Sequence, residues 1–558
     1  MKLVECVPNF SEGRNKDKIE SITREIASTP GVKLLDVDPG ESTNRTVVTF
    51  IGTPEAVSEA AFRAIRKAAE VIDMRSHKGA HSRIGATDVC PFVPLSGVTM
   101  ADCVALARAL GRRVAAELGI PVYFYEEAAT RPERRNLATI RTGEYEGLPD
   151  KLKDPIWAPD CGDPVFNPKS GATIIGAREF LIAYNINLNT RDRRLAQEIA
   201  LNIRESGRAM RDKDGAVVRD EIGNSVKVRG KFPHVKAVGW YIEDYGIAQI
   251  SINFTNYKVS PVHLVFDDVI RQAERFGLRV TGSELVGLIP KEAMLAAGRF
   301  YLEKQGKSPG VPEDVLIRTA VVSLGLNDVV KFEAGKKIIE YQVDEPPRPL
   351  ARLSLSRFAD ELSMDSPTPG GGSTAALSGA LSGALTAMVA NLTVGKKGYE
   401  NAFEELTQTA IRAQELKDEC LRLVDLDTAA FNKVMDAMRL PKAADEQKAE
   451  REAAVEAATK EATLVPLQLL GLSVELLKLA KVVARKGNRN SLSDAGVAAL
   501  TARAAADGAY YNVRINLPGI RDVAFREETR KNAIALKSGA RRLSSEIGRY
   551  IEKEFDKG

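Results

Sequence analysis

The chain has 558 residues, several times the usual domain of about 100 to 200 residues, so about three separately cored units are expected. Lys and Arg number 79 against 75 Asp and Glu, a net charge of +4, which is too mild over this length for a nucleic-acid surface and favours small-molecule ligands. Cys6, Cys90, Cys103, Cys161 and Cys420 are scattered, odd in number and free of any CxxC spacing, which argues against a disulfide framework and a zinc ribbon and for a reducing compartment.

The N-terminal MKLVECVPNF carries Glu5 where a secretory signal needs an unbroken apolar run, so a cytoplasmic protein that starts in its first strand is expected. Strand and helix signals then alternate: KDKIESITREIAST is helical, VKLLDVD and RTVVTFIG are strands, PEAVSEAAFRAIRKAAEVID is helical, and VYFYEEA follows a further helix. Near Thr173 the order begins again with IIGAREFLIAYNINLNT, helical RRLAQEIALNIRESG, strands KAVGWYIED and IAQISINFTNY, and helical PVHLVFDDVIRQAERFG. The repetition predicts two related α/β sandwich subdomains, residues 1–178 and 179–327, each a sheet covered by helices on one face. A ligand groove is expected between them. DGAVVRDEIGNSVKVRG (214–230) interrupts the second repeat and is expected to be a surface β-hairpin turning at EIGNSV.

Paired prolines mark a linker over 328–350. From 351 to 558, Ala- and Leu-rich segments at helical spacing predict an all-α helical bundle. Inside it, Ser366 to Gly395 contains no charge, and length alone would permit a membrane span. Small residues dominate it, however, and Ser378, Gly379, Ser382 and Gly383 recur four apart, which suits a buried helix of a soluble bundle. No membrane partner is expected.

The chain holds four histidines, and His77 and His81 lie together in HKGAHSRIGATDVCPFVP, beside Lys78 and Arg83. Gly79 stands between them and no nearby carboxylate or further histidine completes a ligand set, so no metal is expected. Two readings remain: histidines that hydrogen-bond within a glycine-rich loop, or acid–base chemistry by an imidazole that titrates near neutral pH.

LVECVPNFSEG, LLDVD followed by STNRT, and HKGAHSRIGATDVCPFVP together resemble the formiminotransferase domain of glutamate formiminotransferase. SPTPGGGSTAA, LVDLDTAAF and YYNVRINL resemble formiminotetrahydrofolate cyclodeaminase. The resemblance covers essentially the whole chain, in the order of the bifunctional formiminotransferase-cyclodeaminase family of histidine breakdown. It implies that His81 is catalytic, with His77 secondary. It also implies a folate-contacting strip at Gly162, Asp163, Pro164, Val165, Phe166, Asn167, Pro168, Lys169, Ser170 and Gly171. In the implied transfer, N5 of tetrahydrofolate attacks the formimino carbon of formiminoglutamate, and glutamate leaves once its nitrogen is protonated. One imidazole can take the first proton and deliver the second. Asn9, Asn44 and Arg45 fall in family-like motifs; Arg45 could pair with a substrate carboxylate, and each could equally stabilise a turn.

Cyclisation needs N10 to attack the same carbon while ammonia leaves. In LVDLDTAAF, Asp427 falls within the apolar helical stripe of Cys420, Leu423, Val424, Phe431, Val434 and Met438, whereas Asp425 points roughly 200° away. A carboxyl on an apolar face is desolvated and holds a proton towards neutral pH, as an acid for ammonia release would; the alternative is an aspartate paired with a buried cation. The resemblance also makes Asp427 the proton donor. Gly370, Gly371 and Gly372 precede a helix and can present free N–H groups to a ligand, so they are candidates for the deaminase folate pocket. Lys442 and the GNRNSLSDAG turn are further candidates. The family reading implies a metal-free homo-oligomer acting on polyglutamylated tetrahydrofolate, with the GALSGAL surface supplying a close helix contact. Two rivals use the same folds: formyl transfer from N-formylglutamate or a methenyltetrahydrofolate cyclohydrolase, and a folate-binding assembly protein without turnover. The 214–230 hairpin departs from shorter family members.

Overall fold

The computed structural model describes residues 2–557 except 42, 80, 81, 221, 222, 224, 244 and 343–348. It forms two compact units, one of Met1–Met294 with Val321–Asp344 and one of Leu295–Ala320 with Glu345–Gly558.

In the first unit, β1 (Leu3–Cys6), β2 (Asn9–Phe10), β3 (Val32–Gly40), β4 (Arg45–Gly52), β5 (Thr87–Ser96), β6 (Val122–Glu126) and β7 (Thr173–Ala177) form one sheet. β3 pairs with β4, β4 and β5 flank β1 and β2, and β7 and β6 extend the β5 edge in parallel. The second sheet contains β8 (Ile182–Leu188), β11 (Val235–Ile242), β12 (Ile247–Phe254) and β13 (Val280–Val286), ordered β11-β12-β8-β13 and antiparallel throughout. Numbered within each β-α-β-β-α-β repeat, both sheets have the strand order 4-1-3-2, so the two subdomains share a topology as well as an element order.

The helices start where their sequences allow it. Thr53 caps Pro54–Val71 by accepting from Ala56 N–H, Pro54 sits in the first turn, and Val57, Ala60, Ala61, Ala64, Ile65 and Ala68 bury one stripe against the sheet. Thr99 and Asp102 form a reciprocal capping box on Met100–Leu118, and Gly119 ends that helix with φ 61. One-sided cover does not describe the whole first sheet. Val122, Phe124 and Ile175 face the helices, while Tyr123, Tyr125 and Ile174 pack with Ile140, Leu148 and Leu152 from the short 132–157 turns. Covered on both faces, β5 buries seven residues in succession.

The 214–230 segment pairs partly with residues before it: isolated bridges join Arg211 to Val217 and Arg219 to Ser225, and β9 (Arg208–Ala209) pairs with β10 (Lys227–Val228). The tip residues 221, 222 and 224 lie outside the described residues. Part of the expected 328–350 linker is folded: Ile338 and Ile339 are buried, and Ile339 N–H donates to Ile289 carbonyl.

The second unit takes in 295–320, earlier in the chain than the 351 start read from composition. Gly310 explains the attachment: its carbonyl accepts from Asn391 Nδ2 at 2.7 Å and Gln414 Nε2 at 3.3 Å, and a Cβ there would lie 2.3 Å from Ala410 Cβ. The rest is helical: Leu355–Leu362, Gly371–Asn391, Phe403–Met438, Asp445–Lys486, Leu492–Asn516 and Val523–Phe555. Among the described residues only Gly371–Asn391 is long and apolar enough to cross a membrane, and 61% of its most apolar window is buried in the bundle. Its small residues are used there. A Cβ on Gly379 would lie 2.9 Å from Cys420 Sγ, one on Gly383 would lie 2.9 Å from Ala413 carbonyl, and Ser382 Oγ donates to Ala498 carbonyl at 2.8 Å. Gly379, Ser382 and Gly383 thus make close helix contacts within the chain, while Leu381 is 48% exposed.

Candidate active sites

The strands of the first unit bring Glu5, Asn9 and Arg45 into one groove of about 740 Å³, with Arg178, Ala183, Val286, Lys336 and Lys337 also lining it. Arg45 is partly buried, and both that burial and nearby Arg141 oppose its charge, while Asp88 and Asp38 favour it. Asn9 Nδ2 donates to Val7 carbonyl at 3.1 Å.

Asn44 joins three loops. With φ 49 it sits in the left-handed region that asparagine tolerates. Its Oδ1 accepts from Gly13 N–H at 3.0 Å, its Nδ2 donates to Lys78 carbonyl at 3.0 Å, and its own carbonyl is 2.9 Å from His77 Nε2. Arg83 Nε donates to His77 Nδ1 at 3.2 Å; Nδ1 thus lacks a proton and Nε2–H donates to Asn44. Burial lowers the His77 pKa, which keeps this imidazole neutral. Both of its nitrogens are committed to the loop. Gly79 is required by close approach, since a Cβ would stand 2.2 Å from Thr43 carbonyl. His81 itself lies outside the described residues.

The strip 162–171 divides. Ser170 and Gly171 reach the histidine loop: Ala86 N–H donates to Ser170 carbonyl, and Gly171, at φ 66, bridges Gly85. Asn167 Oδ1 shapes the turn by accepting from Lys169 and Ser170 N–H, and Lys169 Nζ donates to Glu70 carbonyl. Gly162, Asp163, Val165, Phe166, Asn167 and Pro168 line a separate groove of about 830 Å³ along Arg112, Ala115 and Gly119. Pro164, between them, is exposed.

In the helical unit, Asp427 lies against the N-terminus of Gly371–Asn391. Its carboxyl lies beside Ser373, whose hydroxyl donates to Val424 carbonyl at 2.8 Å. Burial raises the Asp427 pKa and the neighbouring Ser373 only partly offsets the rise. Asp425 does different work, accepting from Leu350 and Ala351 N–H. The apolar stripe frays towards the helix end, where Phe431 is 36% and Met438 46% exposed. Gly370 and Gly371 line a groove of about 570 Å³ with Leu362, Thr374, Ser378 and Gly508. Gly372 faces Asp427 instead, and its missing Cβ leaves room for the carboxylate. Lys442 is exposed beyond the Asp427 helix.

Sequence patterns missed several groups. Glu5 is 4% exposed at the groove floor, and burial pushes its carboxyl up to about 7 against the pull of Arg178; the only sign was a charge inside an apolar strand. Arg141, Glu144 and Glu146 act on the histidine loop from about sixty residues away, a pairing without sequence periodicity. Among the described residues, no group of three His, Cys, Asp or Glu side chains could hold a metal.

Residues 3–178 match the formiminotransferase domain, N-terminal subdomain; 183–344 match the formiminotransferase domain; and 354–535 match the formiminotransferase-cyclodeaminase family model. A formimidoyltransferase-cyclodeaminase of Gallus gallus is 45% identical over 554 residues, covering 99% of both chains. The chain belongs to the formimidoyltransferase-cyclodeaminase family. A glutamate formimidoyltransferase of Thermoplasma acidophilum is 45% identical over 312 residues, 56% of this chain and 95% of that one. A methenyltetrahydrofolate cyclohydrolase of Methylorubrum extorquens is 43% identical over 203 residues, 36% of this chain and 98% of its own length. Shorter chains named a glutamate formimidoyltransferase and a methenyltetrahydrofolate cyclohydrolase thus each match part of this one.

Proposed function

We propose that the protein transfers the formimino group of N-formimino-L-glutamate to tetrahydrofolate, then converts 5-formiminotetrahydrofolate to 5,10-methenyltetrahydrofolate and ammonia. The observation that carries this reading is the 45% identity over 99% of both chains to a formimidoyltransferase-cyclodeaminase. In the first unit His81 takes the N5 proton as the amine attacks the formimino carbon and returns a proton to the departing glutamate nitrogen. His77 is left out because both its ring nitrogens are hydrogen-bonded. Arg45 meets a donor carboxylate, Asn9 lines the same groove, and Asn44 holds the loop. The 162–171 strip contacts the folate.

In the helical unit N10 attacks the same carbon, and protonated Asp427 gives its proton to the leaving ammonia. Burial raises the pKa of this carboxyl and so favours its protonated form, which suits that step. Gly370 and Gly371 border the folate groove, and Gly372 gives Asp427 its place. The protein works in the cytoplasm as a homo-oligomer on polyglutamylated folate.

The Methylorubrum extorquens relative favours a second reading, in which the helical unit acts as a methenyltetrahydrofolate cyclohydrolase. One experiment separates them. Purified protein is given N-formimino-L-glutamate and tetrahydrofolate while methenyltetrahydrofolate is followed by absorbance and ammonia by a coupled assay. Wild type yields both products, His81→Ala yields neither, and Asp427→Asn accumulates the formimino intermediate. Failure to release ammonia, with turnover of methenyltetrahydrofolate by water, refutes the deaminase assignment. Turnover of formylglutamate alone refutes the formimino donor.

A further inference from the structure

The described residues on either side of His81, at 77–79 and 82–83, are gripped on two sides. Asn44 holds His77 and Lys78. On the other side Arg83, with a side chain only 7% exposed, uses all five of its N–H donors. Nε bonds His77 Nδ1, Nη1 bonds Glu144 Oε2 and Glu146 Oε2 at 2.8 Å each, and Nη2 bonds Glu146 Oε1 at 2.7 Å and His77 carbonyl at 3.3 Å. Ser82 Oγ donates to Glu144 Oε1 at 3.4 Å.

Both carboxylates come from the short segment RTGEYE, Arg141 to Glu146. It is tightly wound: Glu144 has φ 53 and donates its N–H to Arg141 carbonyl at 2.8 Å, and Gly147 N–H donates to Gly143 carbonyl at 2.7 Å. Arg141 adds a third hold, bonding Asp88, whose other oxygen accepts from Ile84 N–H at 3.0 Å. Between the two glutamates, Tyr145 serves the opposite neighbour. Its hydroxyl donates to Pro168 carbonyl at 2.5 Å and its ring lies 5.5 Å from that of Phe166. One six-residue segment therefore holds both the histidine loop and the 162–171 strip.

We propose that Arg141–Glu146 is a positioning bridge through which a folate on the 162–171 strip tightens the binding of the formimino donor at the His81 loop. This rests on the functional reading above, in which the strip takes the folate and His81 works on the donor. A guanidinium is a rigid planar fork, so Glu144 and Glu146 cannot shift with Tyr145 without losing hydrogen bonds to Arg83. A ligand that fixes Phe166 and Pro168 fixes Tyr145, and with it the two carboxylates that set Arg83. Such a coupling is reciprocal for binding.

The test measures the dissociation constant of N-formimino-L-glutamate by calorimetry on the full chain, with and without saturating folic acid, whose oxidised ring has no N5–H to react. The donor binds about five- to tenfold tighter in the presence of folic acid, a usual size for such couplings. In Tyr145→Phe, which keeps the ring and loses the hydrogen bond, and in Glu146→Gln, the factor falls to about one, while affinity for the donor alone stays within about twofold. A purely structural role would weaken both measurements together. Binding of both ligands with a factor of one in wild type, or an undiminished factor in both variants, overturns the bridge alone. Failure of wild type to bind the donor overturns the functional reading and the bridge with it.

Discussion

A methyl group added at Gly372 would stand 2.1 Å and 2.3 Å from the two carboxylate oxygens of Asp427. Since C···O contacts ordinarily begin near about 3.3 Å, the carboxyl has to retreat by about 1 Å, which separates it from Ser373. Overpacking of this kind costs about 1–3 kcal/mol, and alanine in place of a helical glycine returns about 1 kcal/mol. The bundle of Gly372→Ala should therefore remain folded. A displacement of about 1 Å at a reacting group costs about 100-fold in rate. We expect ammonia release from 5-formiminotetrahydrofolate to fall about 100-fold, with formimino transfer unchanged in the same preparation. Gly539, where an added Cβ meets nothing within 4 Å, supplies the control: Gly539→Ala should keep both activities. Ammonia release within threefold of wild type in Gly372→Ala would refute the argument that the glycine makes room for an acid. Loss of helical circular dichroism would refute the stability ledger.

Three further outcomes follow from the geometry. Glu5 has its carboxyl raised to about 7 in the folded chain, so between about pH 4.5 and pH 7 the folded state keeps a proton that the unfolded chain has lost, and stability falls as pH rises through that window. Glu5→Gln should be more stable at pH 8 by up to about 3 kcal/mol and equal at pH 4; a constant difference across chemical-denaturation midpoints would contradict this. The raised carboxyl of Asp427 has the same sign, so Asp427→Asn should unfold at higher temperature than wild type at pH 8, with the gap closing towards pH 4, even as ammonia release is lost. Gly79→Ala places a methyl group 2.2 Å from Thr43 carbonyl; formimino transfer should fall at least tenfold while ammonia release from supplied intermediate continues, and equal losses in both would point to global misfolding.

What the sequence made legible was local. The repeated order of strands and helices was visible because alternation of period two and amphipathic stripes of period 3.6 survive in single segments, and the shared 4-1-3-2 sheets follow from it. The second layer over β5, β7 and β6 was not visible. Its turns at 137–140, 148–151 and 155–157 are three or four residues long, too short to carry a period. The attachment of 295–320 to the helical unit was hidden for another reason: it depends on Gly310 meeting Ala410, a contact between distant segments. At the sites, helical phase separated Asp427 from Asp425, whose oxygens bind the backbone at Leu350 and Ala351. The same logic failed for Arg83, since the two carboxylates around it belong to an irregular loop.

The Leu492–Asn516 helix buries Ala495, Ala498, Ala499, Ala502, Ala505, Ala506 and Ala509. An alanine seam lets backbones draw close, yet each methyl removes little apolar surface from water. Cohesion then has to be gathered along length, and the neighbouring helices run to 42 and 33 residues. Such a seam is also intolerant of variation: a larger side chain wedges the helices apart, and glycine loosens the helix by about 1 kcal/mol. Random mutagenesis should find few neutral exchanges along it. Drift in this part of the chain is thereby steered to its outer faces, where new contacts with other molecules can arise without disturbing the seam.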